Sequence, residues 1–140
     1  MRYLAVLSMK SNNFYGSLPL SICHLTEIQV LDISRNKFSG TIPKCLNNFS
    51  SMSIKPDATK LDNFLRSSVF QNRESAQLMW KGKDTMYDKQ LGLLRFLDFS
   101  SNNLGGEIPP EITSLVGLIG LNLSGNNLVG PIPHDIGRLD

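Results

Sequence analysis

Residues 118–133 read LIGLNLSGNNLVGPIP, and this stretch decides the fold because its pattern occurs four times in the chain. The fixed positions are apolar residues at the first, fourth, sixth and eleventh places, Asn at the ninth, Gly at the thirteenth and an apolar–Pro pair at the end. The other copies lie at residues 4–19, 28–43 and 94–109. A period of 24 residues separates the first pair and the last pair, and it is typical of a repeat protein.

Each fixed position has a physical role in a stack of similar coils. Apolar residues at alternate places, such as Leu121 and Leu123, face the core from a short strand, while Asn122 points to the other side. The Asn at the ninth place can satisfy backbone groups where the chain turns, which predicts an interior ladder of Asn12, Asn36, Asn102 and Asn126. Because one unit cannot bury its apolar edge alone, the sequence predicts an α/β solenoid with a parallel β-sheet on its concave face.

The repeat is interrupted in the middle of the chain. The second and third copies are 66 residues apart, which corresponds to one repeat and a 42-residue insertion. The sequence therefore divides into two repeats at 1–43, an insertion with the rest of the interrupted repeat at 44–93, and two repeats with an open end at 94–140. An insertion of this length inside a compact domain is more often functional or disordered than a passive connector. Its residues 78–87 read as a small hairpin around a Gly-containing turn.

Overall composition excludes several classes of protein. The formal net charge of +2 argues against a nucleic-acid or polybasic membrane-surface protein, which needs an excess of Lys and Arg. The longest apolar runs are far shorter than the roughly 20 residues that span a bilayer. The N-terminal residues do not support a secretory signal peptide, because the apolar stretch before Lys10 is short.

The four copies resemble the plant extracellular class of leucine-rich repeat, whose motif is L-x-x-L-x-L-x-x-N-x-L-x-G-x-I-P. Within that class the chain is similar to the plant receptor-like proteins, which carry an island late in the array, then a Lys-Gly and Tyr element and terminal repeats. Trp80-Lys81-Gly82 and Tyr87 match that element, and the sequence after it is similar to that of the receptors for ethylene-inducing xylanase. The resemblance implies a C-terminal ectodomain fragment at the outer side of the plasma membrane.

The function implied by the resemblance is non-catalytic recognition of a protein or peptide ligand and a receptor-kinase coreceptor, in defence signalling. Relatives begin with a signal peptide and end in a transmembrane helix, so we expect this chain to be a fragment or a truncated product. Two alternatives stay open: a secreted inhibitor of a microbial cell-wall-degrading enzyme built from the same repeat, and a truncated product without a stable function. An uninterrupted array would favour the inhibitor.

Two kinds of covalent modification are candidates. Cys23 and Cys45 lie 22 residues apart after corresponding prolines, which makes them neighbours on stacked coils, and the family often carries a Cys pair there. The pair is either a disulfide, which implies an oxidising compartment, or two buried thiols. Asn48 and Asn122 begin the two N-x-Ser sequons, and a glycan at Asn122 would lie on the open face of the sheet.

Partner-binding residues are expected on the sheet and on the island. A polar concave strip is predicted from the outward-facing positions, which are Ser8, Lys10, Asp32, Ser34, Arg95, Asp98, Ser100, Asn122 and Ser124. The residues with the strongest claim to partner contact are Trp80, Lys81, Tyr87, Arg95, Asp98 and Asn122. At a single position, an ordinary solvated side chain is the simpler interpretation, and Trp80 is equally suited to anchor the island.

Catalytic and cofactor chemistry is not indicated. The two histidines, His24 and His134, both follow the apolar–Pro segment on the far side of the solenoid, and His134-Asp135 adjacency supplies no geometry in which one group orients the other. No Cys/His cluster has metal-ligand spacing, and the glycines belong to the repeats rather than to a phosphate-binding loop. We therefore expect no enzyme activity, no cofactor and no metal.

Overall fold

The computed structural model describes residues 2–60, 62–63, 66 and 94–139. The chain forms two compact units, one made of Met1–Ile54 with Arg95–Asp140 and the other of Lys55–Leu94. In the second unit, a helical turn follows Asp57, whose Oδ1 accepts hydrogen bonds from the backbone N–H groups of Thr59 and Lys60 at 3.0 and 3.1 Å. The hydrogen bonds identify Asp57 as the N-cap of that turn.

Four strands of the first unit form one parallel sheet, in the order β1-β3-β5-β6. These strands are β1 (Val6–Ser8), β3 (Val30–Asp32), β5 (Phe96–Asp98) and β6 (Gly120–Asn122). A second sheet pairs β2 (Tyr15–Ser17) with β4 (Lys37–Ser39), also in parallel. Each three-residue strand of the first sheet belongs to one copy of the repeat, so the described residues form four coils, which we number 1 to 4. The predicted parallel-sheet solenoid is confirmed.

Short 3₁₀ helices return the chain on the side opposite the first sheet. Each coil has one directly after its apolar–Pro pair, at Leu20–His24, Lys44–Asn48, Pro110–Ser114 and His134–Arg138, and a further one spans Ser50–Ser53. Pro19 and Pro43 precede their helices with extended backbone, at ψ angles of 142° and 137°. Proline favours this start because its ring fixes φ and its missing N–H would be unsatisfied there anyway.

The core lies between neighbouring coils. Register places Leu7 opposite Leu31, Leu31 opposite Leu97, and Leu97 opposite Leu121, so one apolar row runs through the sheet. The fully buried side chains around this row include Ile28, Ile33, Leu46, Phe49, Phe99 and Leu115. Each coil supplies the same apolar positions, and therefore a coil is buried only where another coil covers it.

Coil 3 stacks directly on coil 2 although many residues separate them in sequence. The backbone N–H of Gly117 donates to the carbonyl of Met52 at 2.8 Å, as Ser51 N–H does to Thr26 at 3.3 Å in the preceding pair of coils. A Cβ at Gly117 would overlap the carbonyl group of Ile54. Residues 44–54 therefore complete coil 2, and the insertion lies between Ile54 and Arg95. The predicted hairpin at 78–87 lies outside the described residues.

Candidate functional site

The concave face of the first sheet is built from two rows of side chains in register. Alternate residues of a strand point to the same side, so the residues on either side of the central leucines face away from the core. One row consists of Val6, Val30 and Phe96, with Gly120 at the same position of β6, and the other of Ser8, Asp32, Asp98 and Asn122. The apolar row was missed by the sequence analysis, although the same alternation that identified Asp98 also points to Phe96.

The predicted outward position of Arg95 needs correction. Arg95 precedes β5 and is only 9% exposed, with its Nε donating to the carbonyl of Ser51 at 2.7 Å and its Nη1 to Oε1 of Gln29 at 3.3 Å. Desolvation of the buried guanidinium lowers the pKa of Arg95. The side chain therefore joins coil 3 to the end of coil 2 and does not extend the concave strip.

Polar side chains of the second row turn back onto their own chain. Oδ1 of Asp98 accepts hydrogen bonds from the N–H and the hydroxyl of Ser100 at 3.0 and 2.6 Å. Oδ1 of Asn122 accepts the equivalent pair from Ser124 at 3.1 and 2.7 Å. Each side chain is thereby fixed in one orientation by the residue two places on.

Exposure along the predicted polar strip is uneven, and this corrects the expectation of a continuous open surface. Ser8, Asn122 and Ser124 are exposed, and Lys10 and Asp98 are half-buried. Asp32, Ser34 and Ser100 are buried. The N–H of Ser34 donates to Oδ1 of Asp32 at 2.9 Å, and this hydrogen bond fixes the orientation of the carboxylate. The accessible polar groups are thus concentrated at coil 1 and at coils 3 and 4.

Asparagine side chains link each coil to its neighbour. Nδ2 of Asn36 donates to the carbonyl of Met9 at 2.9 Å, and its Oδ1 accepts the backbone N–H of Phe14 at 3.1 Å. Asn102 makes the same two bonds one coil further on, to Ile33 and from Phe38, both at 3.0 Å. Asn126 makes the equivalent bonds to Phe99 and from Leu104, whereas among the described residues Asn12 bonds only to carbonyls of coil 1. The ladder sets the spacing of the strands that carry the concave side chains.

The two cysteines form a disulfide between the first two coils. Cys23 and Cys45 have Cα atoms 5.6 Å apart, and they belong to the 3₁₀ helices Leu20–His24 and Lys44–Asn48. Cys23 is buried and Cys45 is half-buried. The bond ties the convex side of coil 1 to coil 2, opposite the concave face.

The two sequon asparagines lie on different sides of the unit. Asn48 is exposed at the end of the 3₁₀ helix Lys44–Asn48, and Asn122 is exposed on the concave sheet. Both are accessible to solvent, but only Asn122 lies beside Asp98 in the sheet register.

Three candidate partner-binding residues, Trp80, Lys81 and Tyr87, lie outside the described residues.

In the part of the chain that the structure describes, no three His, Cys, Asp or Glu side chains cluster in a way that could hold a metal ion. Among the same residues, no helix is long and apolar enough to cross a membrane. The candidate site is the concave face, and its accessible polar groups on coils 3 and 4 are Asp98, Asn122 and Ser124.

Comparison with known proteins shows similarity to leucine-rich repeats and to plant receptor-like proteins. The Leucine Rich Repeat family model matches residues 27–49, 93–115 and 117–139. The chain is 34% identical over 125 residues to Receptor-like protein 36 of Arabidopsis thaliana, covering 86% of this chain and 17% of the relative. It is 39% identical over 128 residues to Receptor-like protein EIX2 of Solanum lycopersicum, covering 84% and 12%. The chain thus spans less than a fifth of the length of these relatives.

Two solved structures of similar fold are complexes of plant proteins. The plant peptide hormone receptor RGFR1 in complex with RGF2 superposes with a TM-score of 0.63 at 28% identity, covering 96% of this chain and 15% of the receptor. The complex of BIR3 with SERK2 from Arabidopsis thaliana gives a TM-score of 0.61 at 26% identity, covering 96% and 50%. Both similarities extend over almost the whole of this chain.

Proposed function

This chain belongs to the leucine-rich repeat family of plant receptor-like proteins, and we propose that it is a non-catalytic recognition module of a cell-surface receptor. Its partners are a protein or peptide ligand and a receptor-kinase coreceptor. Defence signalling is part of the proposal, because the residues after the island resemble the receptors for ethylene-inducing xylanase. RGFR1 and BIR3, two proteins of similar fold, are each found in a complex with a partner.

One observation carries this proposal: Asp98 and Asn122 are neighbours on the concave face, and hydrogen bonds within its own chain segment hold each side chain in one orientation. They occupy paired positions on adjacent strands, which lie roughly 4.8 Å apart in a sheet. Each uses Oδ1 for its own chain, and Oδ2 of Asp98 and Nδ2 of Asn122 have no partner among the described residues. The pair offers a carboxylate acceptor beside an amide donor, already held in one orientation. Side chains that are ordered before binding lose less entropy when a partner docks.

The test uses the SERK2 ectodomain as a probe, because SERK2 forms a complex with another leucine-rich repeat protein of similar fold. Binding to the immobilised chain is measured by biolayer interferometry for wild type, Asp98→Lys and the convex control Lys44→Glu. We expect Asp98→Lys to weaken binding roughly tenfold or more, since it replaces a charged hydrogen-bond acceptor with a repelling group. Lys44→Glu should bind as wild type does. Equal affinities for all three chains, or no binding at all, would count against the proposal.

Placement on the extracellular side belongs to the same proposal. The Cys23–Cys45 disulfide supports it, because such bonds persist in oxidising compartments. We expect a glycan on exposed Asn48, whereas a glycan on Asn122 would cover the face that we assign to recognition. After secretion from plant cells, an N-glycosidase should shift the electrophoretic mobility of wild type and Asn122→Gln but not of Asn48→Gln. A shift that is lost only in Asn122→Gln would contradict this assignment of the face.

A further inference from the structure

Two carboxylates occupy opposed positions on the inner strands of the concave face. Asp32 on β3 is paired in register with Asp98 on β5, and both strands have a neighbouring strand on either side. Among the described residues, neither carboxylate forms an ion pair with Lys, Arg or His. Like charges at directly opposed positions of a sheet repel each other. The concave face therefore holds two negative charges that no described cation balances.

The fold does not need the charge at Asp98. Asp98 accepts two hydrogen bonds from Ser100, and both go to Oδ1. At the equivalent position of coil 4, the neutral Asn122 accepts the same pair of bonds from Ser124. An amide therefore fixes this part of the coil as a carboxylate does, and Oδ2 of Asp98 is left to accept hydrogen bonds from a bound partner.

Burial of Asp32 strengthens the negative potential around Asp98. Asp32 is 0% exposed and Ser34 is 1% exposed. Within the described part of the chain, Oδ2 of Asp32 and the hydroxyl oxygen of Ser34 have no hydrogen-bond partner. A charge from which water is excluded is screened weakly, so it acts on its surroundings more strongly than a solvated one. A cation that docks on the half-buried Asp98 is therefore attracted by both carboxylates, although it contacts only one.

An aromatic ring lies on the same face as Asp98. Phe96 precedes Asp98 by two residues in β5, and its side chain is half-buried. A Cβ at Gly120, the paired position of β6, would be 2.5 Å from Cδ1 of the Phe96 ring. The ring therefore occupies the space that a side chain on β6 would fill. A half-buried ring in this position offers an aromatic surface on which a cation can stack.

We propose that the concave face at β5 and β6 binds an arginine side chain of the partner, an inference that rests on the proposed function. The guanidinium donates to Oδ2 of Asp98 and stacks on the ring of Phe96. Nδ2 of Asn122 donates to a backbone carbonyl of the same partner segment. Arginine fits this site better than lysine, because a planar guanidinium donates hydrogen bonds and stacks on a ring at once, whereas an ammonium is a compact and strongly hydrated charge.

The test titrates the isotope-labelled chain with the tripeptide Gly-Arg-Gly, acetylated and amidated at its ends. In the NMR spectrum the backbone amide of Ser100 reports on the site, because its N–H donates to Oδ1 of Asp98. We expect the arginine peptide to shift this signal in a saturable manner. The peptide with citrulline, which has the same shape without the charge, should bind roughly tenfold more weakly or not at all. The peptide with lysine should bind more weakly than the arginine peptide.

Three variants locate the peptide on the chain. Asp98→Asn removes the charge and keeps the hydrogen bonds to Ser100, and it should weaken binding of the arginine peptide roughly tenfold. Phe96→Leu keeps an apolar side chain without the aromatic face, and it should weaken binding about threefold. The matched control Glu107→Gln removes the same charge at an exposed residue outside the first sheet, and it should bind as wild type does.

Equal binding of the arginine, lysine and citrulline peptides, or an unchanged affinity of Asp98→Asn, would overturn the proposal. So would a Ser100 amide signal that does not shift at the highest soluble peptide concentration. The result is separable from that of the SERK2 experiment. Loss of SERK2 binding in Asp98→Lys, together with no response to the arginine peptide, would retain recognition by the concave face and refute the arginine site. Binding of the arginine peptide by a chain that does not bind SERK2 would retain the arginine site alone.

Discussion

The side-chain amide of Asn102 donates a hydrogen bond to the carbonyl of Ile33, 69 residues earlier in the sequence, at 3.0 Å. Its Oδ1 accepts the N–H of Phe38 at 3.0 Å, and the same amide also reaches the carbonyls of Phe99 and Ser100 within coil 3. Asn102 is buried. One side chain therefore satisfies backbone groups of coils 2 and 3 on either side of the insertion.

Replacement of Asn102 by Leu should destabilise the solenoid more than a typical surface change. The substitution leaves the buried Phe38 N–H without its acceptor and removes one of the two side-chain donors to the Ile33 carbonyl, the other being Asn36, at a cost of about 1–3 kcal/mol. The matched control is Asn103→Leu at the exposed neighbouring position, which should change stability by about 0.5 kcal/mol or less. Urea denaturation followed by circular dichroism measures both. Equal midpoints for the two variants would show that the ladder contributes little.

A deletion of residues 53–94 should leave a folded four-coil solenoid. Met52 and Leu94 occupy the same position of the repeat. Removing the 42 residues 53–94 therefore restores a 24-residue spacing between Leu31 and Leu97. Cooperative thermal unfolding of the shortened chain is the measurement. The control is a deletion of 53–88, which leaves six extra residues and breaks the period, so it should unfold at a lower temperature. A period-breaking deletion as stable as the other would contradict direct stacking of coil 3 on coil 2.

Gly117 should tolerate no side chain, because a Cβ there would overlap the Ile54 carbonyl and lie 2.9 Å from the Met52 carbonyl oxygen. Gly117→Ala is expected to cost about 1–3 kcal/mol through displacement of backbone. Gly137→Ala is the control, since nothing lies within 4 Å of its added Cβ. The difference between their urea midpoints tests the contact, and similar midpoints would argue against the close approach of these two backbones.

Loss of the Cys23–Cys45 bond should destabilise the first two coils. A cross-link that closes a loop of 22 residues stabilises by about 3 kcal/mol in the chain-entropy description. We expect the double variant Cys23→Ser/Cys45→Ser to unfold at lower urea concentration than wild type under oxidising conditions. Dithiothreitol should lower the midpoint of wild type toward that of the double variant and leave the variant unchanged. A wild-type midpoint that does not respond to full reduction would contradict a stabilising bond.

Much of the fold was predictable because each fixed position of the repeat determines the structure of its own coil or of the contact with the next coil. The positions of Leu121, Asn126 and Gly130 each meet a constraint inside one coil or between two neighbours, so the pattern predicted strands, ladder and stacking. A sequence signal for the end of coil 2 also exists. Leu46, Phe49 and Met52 follow Ile22, Leu25 and Ile28 at the 24-residue period. These apolar residues continue the repeat beyond Pro43, although Gly is absent there.

Side-chain direction on the concave face was less predictable. The alternation predicts an outward Arg95, but β5 begins at Phe96, and the guanidinium of Arg95 donates to the Ser51 carbonyl. Burial of Asp32 depends on three-dimensional packing that the repeat pattern does not encode. The exposed part of the face is consequently narrower than the alternation of residues suggests, and Asp98 and Asn122 are paired on its last two strands.

Recognition through the concave face is the central claim, and site-specific photo-crosslinking tests it most directly. A photoreactive amino acid is placed at Asn122 on the concave face or at Lys44 on the convex side, and each chain is irradiated with plant plasma-membrane extract. We predict that the Asn122 probe crosslinks a receptor kinase, identified by mass spectrometry, and that excess unlabelled wild type competes while Asp98→Lys does not. A kinase crosslinked only from Lys44, or none crosslinked from Asn122, would contradict the account.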